Sequence, residues 1–171
     1  MPEVDVDALV KEHLSNWREL SKKYFPDSPD LTLVVLKGHL IIEQQITALI
    51  CHYCPSPHYI AEARLSLSQK VSLARALLVI PVPAQLWDVL RVINSLRNDL
   101  AHNLEPPKLE RHVAGARAIA QQIADEKALS SQRQDLDGDV GVLRYLVGFA
   151  HGCLQVADSC VAVMETQRKY A

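Results

Sequence analysis

Apolar side chains recur every three or four residues in each long segment of this chain, and prolines separate one segment from the next. This spacing is typical of an α-helix that buries one face. No segment of comparable length alternates apolar and polar residues between hairpin turns, which is the pattern of a strand. The sequence therefore predicts an all-α fold, a helical bundle of six helices.

Caps and breaks place these helices along the chain. Asp30 suits the N-cap of the second helix, and Ser66 or Ser68 that of the third, because a short side-chain oxygen can accept a bond from the first turn. Proline pairs follow the first four helices, and proline cannot continue a helix. The six helices are predicted at about residues 6–24, 31–53, 71–80, 84–103, 108–128 and 139–168.

The composition is that of one globular domain covering residues 1–171. Hydrophobic residues make up 49% of the chain and charged residues 22%, enough apolar surface for one sizeable core. The formal net charge of -2 argues against a general surface for polyanions, because phosphate backbones are bound mainly by concentrated Lys and Arg. Any contact with nucleic acid is therefore expected to be local.

We expect a cytoplasmic protein with no membrane span. Residues 1–10 contain three acidic side chains and lack the basic and apolar parts of a secretory signal. Residues 140–164 form the most apolar stretch, but Arg144, His151 and Asp158 interrupt it, and such groups are costly in lipid. A buried helix is the better interpretation of this stretch.

The four cysteines are expected to be reduced thiols, as is usual in a cytoplasm. Cys153 and Cys160 lie seven residues apart and share a helix face, where they would fill the core. Cys51 and Cys54, with His58, offer three zinc ligands, but no second close pair completes a tetrahedral site. Packing is the main interpretation of the pair, and no metal or other cofactor is predicted.

Two glycines lie one turn apart in the last helix, at Gly148 and Gly152. Glycine inside a helix costs about 1 kcal/mol relative to alanine, so a close approach of another backbone would offset that cost. The neighbour is either a helix of the same chain or a helix of a second copy. The sequence leaves both open.

The six residues from Arg97 to His102, RNDLAH, could carry chemistry. Asn98 and His102 share one helix face, and the long side chain of Arg97 can reach toward them. A guanidinium can stabilise charge on phosphoryl oxygens, and an imidazole can move a proton to or from a ribose oxygen. Three such groups could surround one phosphate without a metal ion.

This segment resembles the motif of the HEPN superfamily, in which an Arg is followed by four to six residues, the first usually polar, and then a His. Arg97, Asn98 and His102 match those three positions. Residues 70–77 (KVSLARAL), followed by residues 86–96, are similar to the mannitol-repressor-like bacterial branch. The likeness covers about residues 33–102.

The resemblance implies a four- or five-helix core, a homodimer whose two motifs face one groove, and metal-independent cleavage of RNA. It also implies a toxin or defence component, with an antitoxin or regulatory protein as partner. The alternative is a non-catalytic interaction module of the regulator-like branch, in which Arg97 ties helices together through a salt bridge and His102 caps a helix end.

Glu43 is an acidic residue on the apolar stripe of the second helix. A carboxylate in such a place needs a partner, and Arg97, His102 or Lys70 could supply it. Acidic residues occur at a comparable place in HEPN-like families, which implies that Glu43 and Lys70 support the catalytic residues. A purely structural pair is the alternative.

Overall fold

The computed structural model describes residues 6–25, 29–126 and 136–169, and these contain helices and no strand. The all-α fold is therefore confirmed over the described chain. The helices are α1 (Val6–Tyr24), α2 (Leu31–His52), α3 (His58–Glu62), α4 (Leu67–Leu77), α5 (Ala84–His102), α6 (Leu109–Glu126) and α7 (Gly138–Lys169).

The described chain has seven helices, where the sequence predicted about six. The additional helix, α3, has five residues and buries none of them, so it has no apolar stripe for a periodicity argument to detect. The helix predicted at 71–80 covers Leu67–Leu77 instead. It begins directly after its cap, Ser66, and it ends at Leu77 because Leu78 is extended and Pro81 disfavours helical geometry before it. Residues 127 and 128, the predicted end of the fifth helix, lie outside the described residues.

Side-chain caps fix the starts of α2 and α4. The Asp30 carboxylate accepts a bond of 3.2 Å from the backbone N–H of Leu33. Ser66, rather than Ser68, caps α4: its hydroxyl accepts from the Gln69 N–H at 3.4 Å, and the Gln69 side chain accepts from the Ser66 N–H at 2.9 Å. These reciprocal bonds form a capping box, which satisfies donors that the first turn leaves free.

The core is organised around α2 and α7, which form the most extensive helix pair in the described structure. Gly38 permits their close approach, because a Cβ at this position would lie 2.5 Å from Cγ2 of Val147. Helices α4 and α5 pack on α2, α6 packs on α5 and α7, and α1 packs on α7. The 32-residue α7 confirms the predicted long C-terminal helix.

Two helices, α2 and residues 138–163 of α7, are long and apolar enough to cross a membrane by length and composition alone. They also pack against each other at the centre of the bundle, where Ile42, Ile46 and Leu146 are fully buried. Buried residues make up 44% of the apolar window in α2 and 39% of that in α7, so each helix has one face in the core. The cytoplasmic location stays a prediction.

The two glycines of α7 have different surroundings. A Cβ at Gly148 would lie 2.5 Å from Nε1 of Trp17, whereas a Cβ at Gly152 would meet nothing within 4 Å. Gly148 thus accommodates α1 of the same chain. Cys153 packs against the core and Cys160 is partly buried, in keeping with their predicted place on a helix face.

Candidate functional site

The motif occupies the last two turns of α5, which stays helical as far as His102. Asn103 is extended, and both its backbone N–H and its side-chain amide donate to the Asp99 carbonyl at 3.1 Å. The helix therefore unwinds just after His102 and not before it. Asn98 and His102 are exposed, and Arg97 is half-buried.

Arg97 has no acidic partner among the described residues. Its Nη1 donates to Oδ1 of the neighbouring Asn98 at 3.2 Å, and no carboxylate within the described chain forms an ion pair with it. Asn98 thus orients the guanidinium without neutralising it. A half-buried arginine with no acidic partner is suited to binding an anion from solution.

Asp99, the acidic residue of the motif, lies where α5 packs on α6. Oδ2 of Asp99 lies 3.4 Å from Nδ1 of His112, and both side chains are largely buried. Asp99 therefore faces away from the exposed Asn98 and toward α6. His102, by contrast, takes part in no ion pair among the residues described.

Glu43 lies on α2 and is neutralised from α4. Its Oε1 accepts a bond of 2.9 Å from Nζ of Lys70, and its Oε2 lies 3.7 Å from Nδ1 of His39. Lys70 is therefore the partner among the three that the sequence offered. Arg97 and His102 form no ion pair with Glu43.

His39 joins this cluster and was not singled out from the sequence. It is 6% exposed, and burial lowers the pKa of its imidazole, an effect that Glu43 opposes and the charge of Arg97 strengthens. A hydrogen bond with the side chain of Asn94 links the ring to α5. The spacing of His39 four residues before Glu43 was the available signal.

The arrangement brings Glu43, Lys70 and His39 together between α2 and α4, with Arg97 close enough for its charge to act on His39. His102 lies beyond Arg97 at the exposed end of α5. Two grooves of the described surface, both bordered by α6, include none of Arg97, Asn98 or His102. In one copy of the chain, Asn98 and His102 are exposed on the surface.

The cysteine pair near the end of α2 is not arranged as a metal centre. Within the described ranges, no three His, Cys, Asp or Glu side chains are grouped as metal ligands would be. The Cys51 thiol points to the Pro57 carbonyl at 3.9 Å, and burial, followed by the neighbouring Cys54, raises the pKa of Cys51. A raised pKa disfavours the thiolate that binds metals or reacts with disulfides.

Comparisons of the chain with protein families, with curated proteins and with solved structures gave no match.

Proposed function

We propose that this protein is a HEPN-like, metal-independent endoribonuclease that acts as a homodimer, with Arg97 and His102 as catalytic residues. The observation that supports this most is the state of Arg97, which is oriented by Asn98 and has no ion pair with a carboxylate of the described chain. An arginine kept in this state on open surface, five residues before an exposed histidine, can bind a phosphate.

In the proposed reaction the ribose 2′-oxygen attacks the adjacent phosphorus and the 5′-oxygen leaves. His102 takes the proton of the 2′-hydroxyl, and a proton is delivered to the leaving 5′-oxygen by the same imidazole or by that of the second copy. Arg97 stabilises the charge that develops on the phosphoryl oxygens. Asn98 holds the guanidinium in place. The products are a 2′,3′-cyclic phosphate and a 5′-hydroxyl.

A second copy of the chain would form a cleft over the motif. One copy presents Asn98 and His102 on open surface, and a partner with its own motif opposite would form an RNA-sized cleft. Leu36 and Leu40 give some support to an interface, because they project from one face of α2 and are 38% and 56% exposed. Glu43, three residues after Leu40 on α2, and its partner Lys70 on α4 would support the site from beneath.

The second candidate function is a non-catalytic interaction module. The exposed Leu36 and Leu40 favour it equally, because an apolar face can bind a regulatory protein as well as a second copy. The net charge of -2 also fits a protein partner better than a long RNA. In a toxin system, that partner would be an antitoxin or a regulatory protein.

The decisive experiment is cleavage of mixed RNA by the purified protein and by His102→Ala. His58→Ala is the matched control, because His58 is exposed at the start of α3, away from the motif. Cleavage by the wild type and by His58→Ala but not by His102→Ala supports the ribonuclease. Equal cleavage by all three preparations assigns the activity to another site or to a contaminant, and no cleavage by any of them favours the interaction module.

A further inference from the structure

Helix α1 is attached to the bundle mainly through α7, and two imidazoles lie in that contact. His13 of α1 is 6% exposed and His151 of α7 is 4% exposed. Nε2 of His13 lies 3.3 Å from the Ser159 hydroxyl. The buried Nδ1 of His13 and the buried Nε2 of His151 have no hydrogen-bond partner among the described residues.

Trp17 of α1 packs against α7 next to the two imidazoles. Its indole fills the space left by Gly148, and its ring centroid lies 5.2 Å from that of His151 and 5.9 Å from that of Phe25. The indole, the phenyl ring and the neutral imidazole therefore pack as one apolar group. A charged imidazole in the same place would lose most of its hydration.

An uncharged side chain lies on the other side of His151. The side-chain amide of Gln45 on α2 is hydrogen-bonded to Nδ1 of His151 and brings no negative charge to the ring. Burial, followed by the charge of His13, lowers the pKa of His151 to about 4.

Among the residues described, no carboxylate lies against His151 to compensate a charge. Of the helices packed on it in the described structure, α1 presents His13 and α2 presents the uncharged Gln45. The nearest acidic group on α7, Asp158, lies two turns away and is paired with His52 of α2 at 3.3 Å. His39 is different, because Glu43 lies beside it and stabilises its charged form.

We propose that α1 is an acid-released helix: when His13 and His151 are both charged, α1 separates from α7 while the remaining helices stay packed. The two imidazolium ions then repel each other across the contact, and each is better hydrated when α1 is free. The remaining helices keep their own core around α2, α5 and α7. This inference is independent of the proposed ribonuclease activity.

The two tryptophans of the chain allow α1 to be observed by itself. In a full-length Trp87→Phe protein, Trp17 is the sole tryptophan. Between pH 7 and pH 4 we expect its emission to shift to the red and its quenching by acrylamide to increase several-fold. Far-UV circular dichroism should lose no more signal than the 19 residues of α1 contribute.

Two substitutions identify the groups responsible. His151→Gln in the Trp87→Phe background should remove the transition, because glutamine has no charged form. His13→Gln removes only the facing charge and should move the midpoint of the transition to lower pH. It serves as the test if His151→Gln does not fold.

Acrylamide access that stays low down to pH 4 overturns the proposal, as does loss of the whole helical signal together with the Trp17 transition. A fall in Trp17 emission at low pH without increased access of acrylamide would mean that His151 is protonated while α1 stays in place. This result also overturns the proposal.

Discussion

Nζ of Lys70 lies 2.9 Å from Oε1 of Glu43, so the carboxylate on the stripe of α2 is neutralised from α4 and not from the motif helix. Arg97 of α5 forms no ion pair with a carboxylate of the described chain. Its guanidinium charge is therefore available to an anion from solution.

The ion pair of Glu43 and Lys70 should contribute measurably to stability. Its side chains are 29% and 13% exposed, so Lys70→Met, which leaves the carboxylate poorly solvated, should lower the free energy of unfolding by about 2 kcal/mol. The double variant Glu43→Gln/Lys70→Met should lose less than the sum of the single changes. Urea denaturation measures all three.

The pair of Asp88 and Arg91 is the matched control for that measurement. Its side chains are 48% and 72% exposed, although the two atoms lie closer, at 2.6 Å. Arg91→Met should therefore cost about 0.5 kcal/mol or less. If Lys70→Met and Arg91→Met lowered the free energy of unfolding equally, burial would not be what strengthens the first pair.

The two glycines of α7 should respond to alanine in opposite directions. Gly148→Ala places a Cβ 2.5 Å from Trp17 Nε1, so the indole must move, and we expect a loss of about 1 to 3 kcal/mol. Gly152→Ala meets open space and should gain up to about 1 kcal/mol from helix propensity. Thermal unfolding of the two variants tests the prediction, and stabilisation by Gly148→Ala would show that α1 does not pack there.

The stability of the protein should fall in mild acid because of His151. Its pKa is lowered from the ordinary 6.5 to about 4 in the folded chain, so the unfolded chain binds the proton first. The stabilisation is complete above pH 6.5 and is lost as the pH falls toward 4, a change of about 3 kcal/mol at most. Urea unfolding at a series of pH values measures it, and His151→Gln should flatten the curve over this range.

Arg97 and His102 should act as one unit in any ribonuclease activity. Both serve a single transition state, so Arg97→Ala/His102→Ala should lose little more activity than the worse single variant. EDTA should leave the rate unchanged, because the proposed chemistry uses no metal ion. Single-turnover cleavage of a defined RNA measures the rates, and products lacking 2′,3′-cyclic phosphate ends would exclude the 2′-hydroxyl as nucleophile.

The proposed homodimer should depend on the exposed face of α2. Leu40 is 56% exposed, and Leu40→Glu would place a charge in an interface formed there, so the mass measured by light scattering should fall from that of a dimer to that of a monomer. Val79→Glu, at a 71% exposed site after α4, is the control and should leave the mass unchanged. A monomeric wild type at micromolar concentration would contradict the homodimer.

The sequence was sufficient to find the helices that carry apolar stripes, although the one predicted at 71–80 covers Leu67–Leu77. The bounds of α1 agree with the prediction, and Asp30 and Ser66 cap the helices that they were expected to cap. The helix α3 could not be found in this way, because its five residues bury no side chain and leave no pattern. Local rules detect a helix only where one face of it differs from the other.

The candidate site was predictable only in part, because its contacts join distant segments. The spacing of Arg97, Asn98 and His102 was visible along one helix, and the need of Glu43 for a cation followed from its apolar neighbours. The choice of Lys70 depends on how α4 packs against α2. The contact of His13 with Ser159 likewise joins two residues that lie 146 positions apart in the sequence.

The contact between Asp99 and His112 has a consequence for how the chain can be rebuilt. It is part of the packing of α5 on α6 on both sides of the connection at residues 103–108, in which Leu104 is fully exposed. A flexible peptide inserted after Leu104 should therefore leave the two helices in register. A fluorophore or affinity tag carried by that insert would lie a few residues from His102, where it could report on bound RNA or capture a partner without replacing any native side chain.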